Sequence, residues 1–173
     1  MRIILFLTTL FLSAYANIFD FRTLSSDFVQ TIQNEQNSTI TYTGSFYATD
    51  KKIALWIYKT PVEKKVYFIK NRVVIVEPEL EQAIITTLKN SPNFTQIIKN
   101  AKQISKNRYM TSYEDTNYFI NTKNGLISSI KYKDKLENSV VIKLRNLEKN
   151  IVLDPILFNL NIPKDYDVVI QWL

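Results

Sequence analysis

A mainly β fold of antiparallel strands with two or three short helices is predicted by three observations. Period-two alternation recurs along most of the chain, as at Ile40, Tyr42, Gly44, Phe46 and Ala48 against Thr41, Thr43, Ser45 and Tyr47. Turn residues punctuate the runs, around Asp50-Lys51, Pro61, Asn71 and Pro78 and at Asn124-Gly125, a strong hairpin signal. After the first residues, only one long stretch shows a helical stripe. Between Gly44 and Gln82 the pattern has a second peculiarity. Ile53, Leu55 and Ile57 fall on one side of a strand, and Ala54, Trp56 and Tyr58 on the other. Val66 and Phe68 oppose Tyr67 and Ile69 in the same way, and the run 73–76 is apolar throughout. A hairpin sheet with one wet face alternates apolar and polar residues. This one needs cover on both sides. Either the sheet curls around its own core, or one face is an apolar surface kept for a ligand.

Taken in order, residues 17–24 fit a short helix, with Ile18, Phe21 and Leu24 at three-residue spacing. A strand follows at 28–33, then the alternating run through Ala48, then the strand–turn–strand series ending with a strand at 82–88. At Ser91 the period changes. Ser91 is a candidate N-cap and Pro92 an N1 proline. Phe94, Ile97, Ile98 and Ala101 then form one stripe at i, i+3, i+4 and i+7. Strands return at 118–122 and 126–132, flanking Asn124-Gly125. Val140, Ile142 and Leu144 alternate with Val141, Lys143 and Arg145. Asp154-Pro155 caps a single helical turn through Phe158, and residues 168–172 read as a closing strand.

Residues 1–16 have the composition of an export signal. Arg2 supplies the positive n-region, residues 3–12 the apolar h-region, and Ala14-Tyr15-Ala16 a small-x-small cleavage site. The apolar run is shorter than the roughly 20 residues that span a bilayer. Processing there leaves residues 17–173 as one domain and removes one arginine and no acid, so the net charge of +6 falls by one. There is no cysteine, hence no lipidation site after the h-region and no disulfide; stability must come from packing. The basic residues are spread, with Lys51, Lys52, Lys64 and Lys65 near turns and Lys131 and Lys133 on a strand face. Solvated edges account for most of them, while attraction to anionic membrane surfaces or acidic partners is also compatible with the charge.

Several chemistries lack their usual residues. Without His or Cys the chain has no imidazole base, thiol nucleophile or common zinc ligand, so no metal or cofactor is expected. The only two glycines, Gly44 and Gly125, cannot form a phosphate loop. Glu77, Glu79 and Glu81, and the pair Glu114-Asp115, fit charged turns better than a catalytic pair, which needs burial to tune it. Tyr42, Tyr47, Tyr58 and Tyr67 near lysines could stack bases, but tyrosine is an ordinary strand former and an exported chain seldom meets nucleic acid. The reading is not an enzyme and not a nucleic-acid binder. If the sheet curls into an incomplete barrel, its concave lining could take an acyl chain, at about 0.8 kcal/mol per buried methylene.

Several spaced features resemble the LolA family, the periplasmic carriers of lipoproteins to the outer membrane. They are Phe28-Val29-Gln30 in the first strand and Gly44 twelve residues before Trp56. Trp56-x-Tyr58-x-x-Pro61 follows, then Val74-Ile75-Val76-x-Pro78-x-x-Glu81-Gln82. Phe158-x-Leu160-x-x-Pro163 and Asp167-Val168-Val169 fit the closing segment. Their order and spacing extend over nearly all of residues 17–173. The resemblance implies an incomplete antiparallel β-barrel, a half-barrel, with helices forming a lid over a hydrophobic cavity. It implies a periplasmic monomer that receives triacylated lipoproteins from an inner-membrane lipoprotein-releasing ABC transporter and delivers them to an outer-membrane receptor. Transferred to this chain, the cavity face would comprise Ala54, Trp56 and Tyr58, extended by Val66 and Phe68. Ile18 and Phe21, with Phe94, Ile97 and Ile98, would supply the lid. Well-known members carry Arg-Pro in the turn after the glycine strand, where this chain has Asp50-Lys51 and then Lys52. A latch here would differ, with Lys51 or Lys52 bonding carbonyls at a helix C-terminus. Two other roles share this architecture: a lipid sensor or adaptor in envelope-stress signalling, and a carrier of another lipid.

Overall fold

The computed structural model describes residues 19–89 and 93–172. One sheet contains β1 (Thr23–Gln33), β2 (Thr39–Thr49), β3 (Ile53–Thr60), β4 (Lys64–Ile69), β5 (Arg72–Glu77) and β6 (Gln82–Thr87). Helix α1 (Phe94–Lys99) comes next, then β7 (Lys102–Ser105), β8 (Arg108–Tyr113), β9 (Thr116–Lys123), β10 (Leu126–Lys133), β11 (Ser139–Lys149) and β12 (Asp167–Trp172). Two 3-10 turns, Pro78–Leu80 and Pro155–Phe158, complete the described elements. Across the sheet the order is β12-β6-β5-β4-β3-β2-β1-β11-β10-β9-β8-β7. The long strands β1, β2 and β11 lie side by side at its centre, and β7 and β12 remain as free ends. This is an incomplete barrel, mainly β.

The sheet buries apolar residues on both faces, but not over its whole width. On the inner face Phe19, Phe21, Leu24, Phe28, Phe46, Ala48, Ala54, Ile98, Ile120, Ile127, Val140 and Ile142 form one core. On the outer face of β3–β6, Leu55, Tyr67, Val74, Val76 and Ala83 form a second. Phe158, Ile162 and Tyr166 cover this second core, from the segment that leads from β11 to β12 and packs its 3-10 turn on β3. The two-faced pattern between Gly44 and Gln82 therefore has two causes. One face follows the curl of the sheet, and the other lies under a C-terminal strap.

With two glycines in the chain, asparagines take many of the left-handed positions. Asn37, Asn107, Asn124, Asn146 and Asn150 all have positive φ, which asparagine tolerates better than most L-residues. Asn124 and Gly125, at φ 52° and 74°, make the predicted two-residue hairpin between β9 and β10. Gly44 serves close approach instead. It stands opposite Phe28 of β1 and Tyr58 of β3. A Cβ there would overlap the Ile57 carbonyl oxygen and come within 2.8 Å of Phe28 Cζ. The missing side chain lets the Phe28 ring lie over the strand and touch both Trp56 and Tyr58, at 5.0 and 5.2 Å between centroids.

Five local expectations need correction. The helix over 17–24 is absent from its described part. Phe19 and Phe21 are buried while Asp20 and Arg22 are exposed, an extended alternation that runs into β1, which starts at Thr23 rather than Phe28. Hydrogen bonds from Asp50 N to Arg22 O (2.8 Å) and from Arg22 N to Asn150 Oδ1 (2.8 Å) hold this segment extended. The N-cap of α1 is Asn93, whose Oδ1 accepts from Gln96 N at 3.1 Å; Ser91 and Pro92 lie outside the described residues, as do residues 1–16 and Ile18. The helix ends at Lys99, so Ala101 packs just beyond it. Strands β7 and β8 fill the interval between α1 and the strand expected at 118–122, where no element was expected. Finally, β12 runs parallel to β6, because the strap carries the chain back to the same end of the sheet.

Candidate functional site

The six-residue helix α1 is too short to be stable alone, so tertiary contacts must hold it against the inner face. It packs on β2 and β8, strands far apart in the sheet order, and so bridges the curl. Phe94 lies edge-on to Phe68 of β4 at 4.8 Å and to Phe46 of β2 at 6.0 Å. Thr111 Oγ1 of β8 donates to Ile97 O at 2.9 Å, filling one of the carbonyls left open at the helix C-terminus. Asn93 Nδ2 reaches Asp50 O in the β2–β3 turn at 3.5 Å, and Lys99 pairs with Asp20 at 3.2 Å. Among the described residues the β2–β3 turn thus meets the N-terminal end of α1 through the Asp50 carbonyl, and not the C-terminal carbonyls of α1 through Lys51 or Lys52. Both polar ties are exposed at one partner, and ties of this kind contribute about 0–1 kcal/mol.

Between α1 and the sheet lies a cavity of ≈ 320 Å³, at the small end of the range for ligand sites. Its two walls differ. Phe46, Trp56, Phe68 and Val73 come from β2–β5, with Phe94, Ile97 and Ile98 from the helix. Their rings form a continuous set, Phe46–Trp56 at 4.3 Å and Phe28–Trp56 at 5.0 Å behind them. The facing wall, from β8–β11, carries Tyr113, Tyr118, Ile120, Ile130, Tyr132, Ile142 and Leu144. Tyr118 and Tyr132 stack obliquely at 5.0 Å. Burial pushes the Tyr132 phenol up to about 12, helped by neighbouring Tyr118, and burial also raises Tyr118 and Tyr113. These phenols are neutral at ordinary pH. Glu114 is the one charged residue among the described lining residues, and it faces Lys135 at 3.7 Å. An apolar chain entering this space meets almost no group that must give up water.

Of the residues singled out from sequence, Trp56, Phe68, Phe94, Ile97 and Ile98 line the cavity. Phe21 and Ala54 are fully buried in the inner core beside it. Tyr58 packs against that core, donating from its hydroxyl to Gln30 Oε1 at 2.9 Å, with Lys64 Nζ 4.8 Å from its ring centre. Burial, reinforced by Tyr132 and Tyr42, raises its pKa. Val66 lies directly across from Trp56 in the β3–β4 ladder but is not part of the cavity wall. Sequence reading missed the phenol-bearing wall entirely. Its inner positions on β10 and β11 were legible as alternation, but only the curl brings Ile130 and Ile142 opposite Trp56. Phe19 was also missed; it is buried and lies edge-on to Tyr109 of β8 at 4.8 Å.

Comparison with known proteins points the same way. The family profile described as "Outer membrane lipoprotein carrier protein LolA" matches residues 20–122. An outer-membrane lipoprotein carrier protein of Campylobacter jejuni is 42% identical over 150 residues, covering 87% of this chain and 88% of that protein. One from Wolinella succinogenes is 37% identical over 148 residues, covering 85% and 84%. Among solved structures, a LolA superfamily protein of Nitrosomonas europaea superposes with a TM-score of 0.51 at 9% identity, over 81% of this chain and 91% of that one, a likeness of fold.

Proposed function

This chain belongs to the LolA family of outer-membrane lipoprotein carrier proteins, and from that membership and the cavity we propose that it carries lipoproteins by sheltering their acyl chains beneath α1. The observation that carries the reading is the apolar cavity itself, walled by Trp56 and Phe68 on one side, Ile130 and Ile142 on the other, and closed by Phe94 and Ile97. Each methylene moved from water into it gains about 0.8 kcal/mol. Binding and release then need no bond to be made or broken in the cargo. The finer scheme is part of the proposal: export directed by residues 1–16, a periplasmic station, cargo taken from an inner-membrane ABC transporter and passed to an outer-membrane receptor. Arg2, the apolar run 3–12 and the Ala14-x-Ala16 site support export. Among the described residues no helix is long and apolar enough to cross a membrane.

Among the described residues the lid is held by ring contacts and three single hydrogen bonds or ion pairs, which suits a cover that must open. Its resting cavity is small, so several acyl chains would displace α1 from Phe46 and Phe68. The test is to incubate the purified protein with a triacylated lipoprotein and measure the complex by native mass spectrometry. Trp56→Glu places a charge in the lining that is costly to desolvate, and the complex should be lost while the circular dichroism spectrum is kept. Ile97→Glu makes the same change on the lid, away from the ring cluster, and should also abolish binding. Full binding by both folded variants would remove the cavity from the account. Phospholipid bound in place of acylated polypeptide would keep the cavity and change the cargo.

A further inference from the structure

The two free ends of the sheet are built differently, and the difference assigns one of them a partner. At one end β7 has four residues, a register shift against β8 between Gln103 and Ser105, exposed Lys102, and Lys106 just beyond. Short length, irregular register and lysine are the devices that keep a strand edge from pairing with another chain. At the other end β12 has six residues, an unbroken register with β6 from Asp167 to Trp172, and neither lysine nor proline. Val168, Val169 and Ile170 are 49, 42 and 60% exposed, so aliphatic side chains stand uncovered on both of its faces. Asp167 N donates to Glu81 O at 2.9 Å, which directs Asp167 toward β6. By alternation Val168 and Ile170 turn their backbone N–H and C=O groups outward.

We propose that the outer edge of β12 receives an extended segment of a partner protein that adds a further strand, with alternating aliphatic side chains and basic residues at one end. The charge comes from the residues around the start of β12. Glu79, Glu81, Asp165 and Asp167 are exposed there against one lysine, Lys164, in a chain whose net charge is +6. This local acidity attracts a basic segment and repels an anionic bilayer. Main-chain bonds supply affinity in such pairing, and side chains on alternate faces supply selectivity. The surface lies outside the cavity, so this inference stands apart from the acyl-binding reading.

The probe is a fluorescently labelled peptide, Lys-Lys-Val-Thr-Val-Thr-Val, titrated into the purified protein and followed by anisotropy, with Glu-Glu-Val-Thr-Val-Thr-Val as its counterpart. Saturable binding is expected, weaker for the acidic peptide. Ile170→Pro removes an outward donor while leaving the residues that bond β6, and proline is tolerated at such an edge position; it should weaken binding by about tenfold. Ile170→Lys, which changes no backbone group, guards against a folding defect in the proline variant and should weaken binding similarly by blocking the edge. Both variants should bind an acyl-chain probe as the parent does. Undiminished peptide binding by both variants, or no binding by the parent, would overturn the proposal. So would a concentration-dependent dimer in sedimentation that Ile170→Pro abolishes, since the edge would then pair with a second copy. Capture of the parent, but not the variants, by phosphatidylglycerol vesicles would assign the patch to a membrane and equally overturn it.

Discussion

The sheet has two halves of similar extent that solve the same burial problem in opposite ways. From β2 to β6 both faces are apolar: the inner one gives the aromatic wall of the cavity, and the outer one packs under Phe158, Ile162 and Tyr166 of the strap. From β8 to β11 the buried apolar face is the inner one, and Met110, Phe119 and Val141 are scattered among polar residues on the outer. There the outer face carries exposed Lys131, Lys133, Lys143 and Arg145, and polar pairs such as Asn121 Nδ2 to Ser129 Oγ at 3.0 Å. Near the centre, Asp27 accepts from Asn146 at 2.9 Å and from Ser45 at 3.1 Å. Those two bonds, with Lys59 nearby, hold its carboxyl below the usual carboxylate range. The contrast teaches that the two apolar sides of β3–β5 are covered by different things, and that their pattern does not say which side holds a cavity. The side that lines the cavity and the side that packs under the strap can be told apart only once the strap is in place.

The comparison can be broken most sharply at Leu55, which is 1% exposed on the outer face of the covered half. Leu55→Ala should cost about 2–5 kcal/mol in urea unfolding, while acyl binding by the folded fraction is unchanged. A loss below about 1 kcal/mol would mean that the strap does not make a true core. A smaller effect is expected on the inner wall of the other half. Tyr132 ionises near 12 in the folded chain against an ordinary 10.0. Its neutral form is therefore favoured by folding, so this contribution is complete below pH 10 and is lost as pH rises toward 12. The melting temperature of the parent should fall more steeply over that interval than that of Tyr132→Phe; equal slopes would place the phenol in solvent. The smallest change belongs to the wet outer face. Lys143→Ala should shift stability by no more than about 0.5 kcal/mol, and a larger loss would mean that this face too is covered.

The strands with clean alternation were legible in advance, because a half-buried strand writes its period into the sequence. Asn124-Gly125 and Asp154-Pro155 also behaved as read, since both are local: the first needs two left-handed residues, the second a carboxylate accepting Ile156 N at 2.9 Å. What failed was non-local. Lys102–Ser105 is exposed at every residue, so β7 carries no burial period to detect. Residues 19–22 were misread because Leu24, a strand residue, completed a helical spacing with Phe21. Beyond its one helical turn the strap's covering role was hidden, because Phe158, Ile162 and Tyr166 cover the outer core from an irregular path with no repeat. Half the cavity was out of reach for the same reason. Ile130 and Ile142 alternate like any core strand, and nothing local to them says that a curl of the sheet will set them across from Trp56.

In a closed barrel the strand count and stagger fix the bore, and no guest can widen it without breaking main-chain bonds. Here no ladder joins β7 to β12, so the sleeve has a seam. Its girth is set by what fills it, ring against ring and helix against sheet, and a thicker filling would lift α1 and spread the lips of the seam. The same molecule can thus grip a slender guest and a stout one with its hydrogen-bonded fabric uncut, as a wrapped garment fits bodies of different size where a tube would not.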